Sequence, residues 1–156
     1  MIQRIQTLYL LIVSVMMVIT TCTPIATILV DGREVVFSPF SIAAEGEQLA
    51  SLPIWLGSLL VLSAALPFIT IFLYKRRQLQ IRLCGAEAVL LLGDILLGAI
   101  YIYILCNKVF EGITFSHLVL SFTGIVCPIV SIILIILAMR AIFRDELLVR
   151  AADRIR

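Results

Sequence analysis

Lys75-Arg76-Arg77-Gln78-Leu79-Gln80-Ile81-Arg82 holds four positive charges in eight residues, and a long apolar run enters and leaves it. Read as a short turn between two membrane helices, it fixes the direction of every other segment. Composition supports that reading. The 156 residues are 62% hydrophobic and only 14% charged, with a mean hydropathy of +1.17. A soluble domain carries about 45–50% apolar and about 25% charged residues. So much apolar surface cannot be hidden in one small core, and lipid is the simple place for it.

Upstream, no charge falls between Arg4 and Asp31. A helix spanning a bilayer needs about 20 apolar residues, which puts the first span near 8–28, or ending about Pro24 if the proline stops it. The competing reading is a cleaved signal peptide, with Arg4 before an apolar stretch from Leu8 to Ile19, or a lipid-modified Cys22. Thr20 and Thr21 suit a lipid signal poorly, and the run is longer than a leader needs. The second run, placed at 50–74, starts near Pro53 and Trp55 and contains Pro67, which should kink it. Downstream of the basic turn, the third run, 83–106, is interrupted by Glu87 and Asp94. The fourth, 115–139, contains Pro128 and is followed by a charged tail, 140–156, that can continue as helix.

The first polar connection, Asp31 to Glu47, contains Asp31-Gly32, a two-residue hairpin signal. Thr27 to Val30 and Glu34 to Phe37 flank it, and Ser38-Pro39 would end the second strand. A small β-hairpin is one reading and an irregular loop the other. An isolated hairpin is marginal in water, so it would need the membrane face or a partner to rest on. The second polar connection is short, Asn107 to Thr114.

Ten Lys and Arg residues fall on the side of the basic turn and the termini, against Arg33 and Lys108 on the other. That bias places both termini in the cytoplasm. Short connections make consecutive helices antiparallel neighbours. The expected fold is therefore an all-α, four-helix up-down membrane bundle, one domain over 1–156, with the hairpin in its first outer loop and a cytoplasmic C-terminal helix.

Three charged stretches resemble a known pattern: Met1-Ile2-Gln3-Arg4-Ile5-Gln6-Thr7; Tyr74 through Cys84; and Ala138 to Ile142 with Asp145 to Arg156. Together they resemble an uncharacterised family of small four-span membrane proteins from the Bacteroidota, classed as a domain of unknown function. The resemblance covers the whole chain and implies an inner-membrane protein of a Gram-negative cell. It brings no activity, cofactor or catalytic residue with it.

The chemistry-bearing candidates are few. Asp94 lies near the middle of its span, where an ionised carboxylate costs about 2.5–3.5 kcal/mol. Glu87 is nearly two turns away on the same face, roughly 10 Å along the axis, and Gly98 and Tyr101 continue that face. A proton or cation relay is the functional reading. The alternative is a packing face, with Asp94 neutral and bonded to a hydroxyl such as Ser63, Thr70, Thr123 or Ser131, and with Gly93 and Gly98 allowing close helix approach. Lys75, Arg76, Arg77, Arg82, Arg140, Arg144, Arg150 and Arg154 are candidates for contact with anionic lipid or an acidic partner. Phe143, Leu147, Ala151 and Ile155 form an apolar stripe on the tail.

Cys22 and Cys106 both fall near the outer side, where a disulfide is one option. Cys84 and Cys127 read as small apolar packers, and His117 as an interfacial residue. No CxxC pair, Gly-rich phosphate loop or metal-spaced cluster occurs, so no catalysis, metal or cofactor is expected, and no nucleic-acid partner. The function expected first is a non-catalytic subunit or scaffold, packing with itself or a larger membrane complex in lipid. The second is a small proton-coupled or ion-conducting transporter using Asp94 and Glu87. A reporter fused after Arg156 is expected to read as cytoplasmic, and one inserted at 107–114 as external; a C-terminal reporter facing outward would remove the arrangement.

Overall fold

The structure, a computed structural model, describes residues 2–30, 33–44, 47–50, 54–73, 76–104 and 118–154. It is mostly helical, with four long apolar helices and a small antiparallel sheet. The helices are α1 (Ile2–Cys22), α2 (Ile54–Phe72), α3 (Arg77–Ile104) and α4 (Phe122–Arg154). The strands are β1 (Ala26–Val30), β2 (Arg33–Phe37), β3 (Ile42–Ala44), β4 (Glu47–Ala50) and β5 (Leu118–Leu120). Each helix contains a segment long and apolar enough to cross a membrane, from 18 residues in α1 to 27 in α3. Even 19 residues reach about 28 Å at about 1.5 Å each, close to the roughly 30 Å of a hydrocarbon core. The chain is thus read as a multi-pass membrane protein.

One spacing organises the helices. Inward-facing residues recur at alternating steps of four and three: Gln6, Leu10, Val13, Met17 and Thr20 on α1, and Leu56, Leu60, Ser63, Pro67 and Thr70 on α2. On α3 they are Gln80, Cys84, Glu87, Leu91, Asp94 and Gly98, and on α4 Pro128, Ser131, Ile135, Ala138 and Ile142. A 3.5-residue repeat keeps one narrow stripe facing its neighbours in a bundle. Here α1 packs on α2 and α4, and α3 on the same two, so the helices form a ring. Outside the stripe the side chains are apolar and exposed, Val89 at 69% and Trp55 at 75%. That is the reverse of a water-facing helix.

The sheet runs in the order β4-β3-β2-β1-β5. Val30 pairs with Arg33 and Ala26 with Phe37, the register of a two-residue hairpin; Asp31 and Gly32 themselves lie outside the described residues. Alternation does the rest. Ala26, Ile28, Val35, Phe37 and Ile42 are buried, whereas Leu29 and Glu34 are exposed. The Phe37 ring reaches Tyr101 of α3, centroids 6.3 Å apart. Ile25 lies against Gly124 of α4, and Phe40 and Pro39 against Gly57 of α2. The sheet therefore rests on the bundle's own end. Two helices finish at it and two start from it, so successive helices alternate in direction.

Several boundaries differ from the sequence reading. The apolar run through Ile28 stays helical only to Cys22, because Pro24 has no N–H to give and residues 26–30 pair in the sheet. Gln48 to Ala50 belong to β4, and α2 starts only at Ile54. Leu118–Leu120, expected to be helical, pair with Ile28 to Ala26, since β1 has a second edge open and an apolar Leu-Val-Leu run suits a strand equally. The basic turn is shorter than its charge run, since α3 already begins at Arg77. Pro67 and Pro128 sit inside α2 and α4, both buried.

Gly57 is the tightest of these contacts. A Cβ there would run into the Phe40 ring and lie 2.8 Å from the Pro39 carbonyl oxygen. Gly57→Ala is expected to destabilise the fold by about 1–3 kcal/mol, read as a lowered melting temperature in detergent micelles.

Candidate functional site

The inward stripe of α3 carries both candidate carboxyl groups into the bundle. Glu87 is 0% exposed and Asp94 4%. They are two steps of the same repeat apart, with Leu91 between them. Of the hydroxyls considered as partners for Asp94, one meets it: Ser63 Oγ on α2 donates to Asp94 Oδ2 at 2.7 Å. Thr70 instead donates to the Leu66 carbonyl of its own helix at 2.7 Å. Thr123 is bonded to Thr23 at 3.0 Å, and Ser131 is buried with no hydrogen-bond partner among the described residues. Asp94 Oδ1 and both oxygens of Glu87 are buried and also lack a partner among the described residues.

Asp94 borders a cavity of about 190 Å³ beneath the sheet, shared with Thr20, Leu60, Gly98, Gly124 and Pro128. The liquid volume of a water molecule is about 30 Å³, so the space holds several. Gly98 opens this cavity instead of bringing helices together: a Cβ there would meet nothing within 4 Å. At Gly93 a Cβ would only touch Leu59, at 3.6 Å.

Further polar residues share the interior that sequence reading passed over. Ser14 Oγ donates to the Ala64 carbonyl at 2.9 Å, and Thr20 Oγ1 to that of Met16 at 3.0 Å. Gln80 Nε2 reaches the Thr70 carbonyl at 3.5 Å, a long contact. Gln6 is buried and its Nε2 has no partner among the described residues. Gln6 and Gln80 each lie two residues from an arginine, Arg4 and Arg82, and polar residues next to charges carry no signal of burial. Continuing the four-three spacing back from Asp94 and Glu87 leads to Gln80, and the same spacing on the first helix leads from Thr20 to Gln6. The result is a file of polar side chains along the bundle, from Thr20 and Asp94 near the sheet to Gln6 and Gln80 at the other end. Among the residues whose side chains are described, no Lys or Arg is buried.

The basic candidates gather away from the sheet. Arg76, Arg82, Arg140 and Arg144 are exposed. Arg77 opens α3, and Arg150 and Arg154 lie on α4; Lys75 lies outside the described residues. So do Cys106, His117 and the 107–114 connection; Cys22 carries a free thiol, as do buried Cys84 and Cys127. Phe143 and Leu147 of the tail stripe are exposed on α4, Ala151 is helical, and Ile155 is outside the described residues. Among the described residues no three His, Cys, Asp or Glu side chains stand together as a metal site would need.

Among the described residues the Ser63 hydroxyl is the one donor on Asp94. Ser63→Ala is expected to cost about 1–3 kcal/mol of stability, measured by unfolding in detergent. The cost should largely vanish in an Asp94→Leu background, since a shared partner makes two substitutions non-additive.

Nothing among the curated proteins matches this chain. Residues 2–155 match a family described as a domain of unknown function, DUF4293, and that span takes in all four helices, the sheet and the buried carboxyl groups: the chain belongs to this family.

Proposed function

We propose that this protein sits in the inner membrane of a Gram-negative cell with both termini in the cytoplasm, and that Glu87 and Asp94 pass protons between the two ends of its bundle. The observation that carries the reading is Glu87: fully buried, with neither oxygen hydrogen-bonded among the described residues. A position that needed only packing would be served better by leucine, as Leu91 serves one step on. A carboxyl group in the apolar interior of a membrane bundle is by default a working group. A proton can reach a buried carboxyl group such as Glu87 along hydrogen-bonded groups, without the wide aqueous path that a hydrated ion needs. Asp94 opens on the cavity under the sheet and can exchange with water there. Glu87 lies between Asp94 and the Gln6 and Gln80 end. The two carboxyl groups are roughly 10 Å apart along the helix, so transfer between them takes a bridging hydroxyl or water.

The orientation rests on charge. The exposed arginines crowd the end opposite the sheet, as the cytoplasmic side of a membrane protein prefers. The resemblance of the charged stretches supports the choice of membrane. The subunit or scaffold role expected first from the sequence is compatible with this site. The apolar outer faces can be covered by lipid, a second copy or a membrane-protein partner, and the relay does not depend on which. No catalysis is part of the proposal.

Purified protein in liposomes holding a pH-sensitive dye, driven by a potassium diffusion potential, is expected to acidify the interior faster than empty liposomes. Glu87→Gln and Asp94→Asn, close in shape, should each lower that rate by about tenfold or more, a barrier increase of at least about 1.4 kcal/mol. Wild-type flux in both variants, or none in the wild type, would leave the two as packing residues.

A further inference from the structure

Away from the carboxyl groups, α1, α3 and α4 leave a groove of about 940 Å³ at the end opposite the sheet. Its walls are Ile5 and Tyr9 of α1, Ile81 of α3, and Leu137 and Phe143 of α4. On its rim are Arg140 and Arg144, one helical turn apart and both exposed. We propose that this groove seats one acyl chain of an anionic phospholipid, with its phosphodiester on Arg140 and Arg144.

The chemistry of the walls decides the occupant. An acyl chain matches the aliphatic and aromatic lining, and the groove lies at the end of the membrane-crossing segments, where headgroups are found. Residues at i and i+4 share one helix face, so two guanidinium forks point to one region and can both donate to one phosphate. Basic pockets between membrane helices on the cytoplasmic side are suited to anionic headgroups. Asp145 also borders the groove, leaving one net positive charge among the lining side chains, which suits a single phosphodiester. An acidic peptide would satisfy the arginines but waste the apolar walls. A neutral lipid would do the opposite.

The proposal rests on the membrane placement and not on the relay, and the two fail separately. Proton flux reports on the carboxyl groups, and lipid retention reports on the groove. The test is native mass spectrometry of the full chain in a neutral detergent, titrated with phosphatidylglycerol or phosphatidylcholine. One phosphatidylglycerol per chain is expected to bind well ahead of phosphatidylcholine. Arg140→Gln/Arg144→Gln should weaken it about thirtyfold, from roughly fivefold per arginine at a membrane surface. The charge-matched pair Arg33→Gln/Lys108→Gln should leave it within about twofold of wild type. Ile81→Trp, which narrows the groove without touching charge, should also weaken it, and glycerol phosphate, which lacks the acyl chain, should not compete. Circular dichroism establishes that each variant is folded. Equal loss in both charge pairs means that net charge alone governs the binding and overturns the proposal. So does equal affinity for the two lipids, or Ile81→Trp breaking a dimer rather than a lipid complex.

Discussion

A bilayer offers a side chain no hydrogen bonds, so whatever polarity a membrane helix carries has to be met by its neighbours or left unmet. Each helix in this protein has one stripe, stepping by four and three residues, that escapes the lipid. The stripe is not simply apolar. It holds Gln6, Thr20, Ser63, Thr70, Gln80, Glu87, Asp94 and Ser131 among its Leu, Val and Ile residues. Small hydroxyl residues cost little there, because they can bond to a carbonyl a turn back, as Thr20 and Thr70 do. Glu87 and Asp94 have no such refuge. Among the described residues the ring of helices supplies Ser63 to one oxygen of Asp94 and no hydrogen bond to Glu87. The fold thus concentrates its unmet polarity on one helix face, and the functional reading depends on that concentration.

The sheet sets the other boundary of the site. Its buried face, Ala26, Ile28, Val35, Phe37 and Ile42, closes one end of the bundle. The cavity at Asp94 lies directly under it, with Leu120, Gly124 and Ile25 on one side and Leu56 and Leu60 on the other. Small residues at the seams, Gly57 and Gly124, let backbone and ring approach the helices closely. At the opposite end exposed arginines gather: Arg76, Arg82, Arg140 and Arg144.

Much of this was legible in the residues. Four long apolar runs give four helices, and Asp31-Gly32 between β-branched stretches gives the first hairpin, because each signal is local. What the hairpin joins was not legible. β3, β4 and β5 are short, and Leu118–Leu120 sits within an apolar stretch where helix and strand look alike. Only the open edge of β1, a partner distant in sequence, decides between them. At the site, Asp94 and Glu87 stand out because they are charged within apolar runs. Gln6 and Gln80 do not, because their charged neighbours disguise them, and among four candidate hydroxyls only the arrangement of α2 against α3 selects Ser63. Gly98 shows the same limit: spacing places it on the inward face, but whether it admits a helix or leaves a void depends on what lies opposite.

The pairing of β1 with β5 also bears on how the protein is made. Ile28 pairs with Leu118, so β1 lacks one of its two neighbours until three helices have been synthesised. The same late segment delivers α4, which completes the ring against α1. A chain emerging from its N-terminus therefore holds α1, α2 and α3 as an open arc with an unfilled strand edge above it. One final insertion completes arc and edge together, so the cavity beside Asp94 comes into being only as biosynthesis ends.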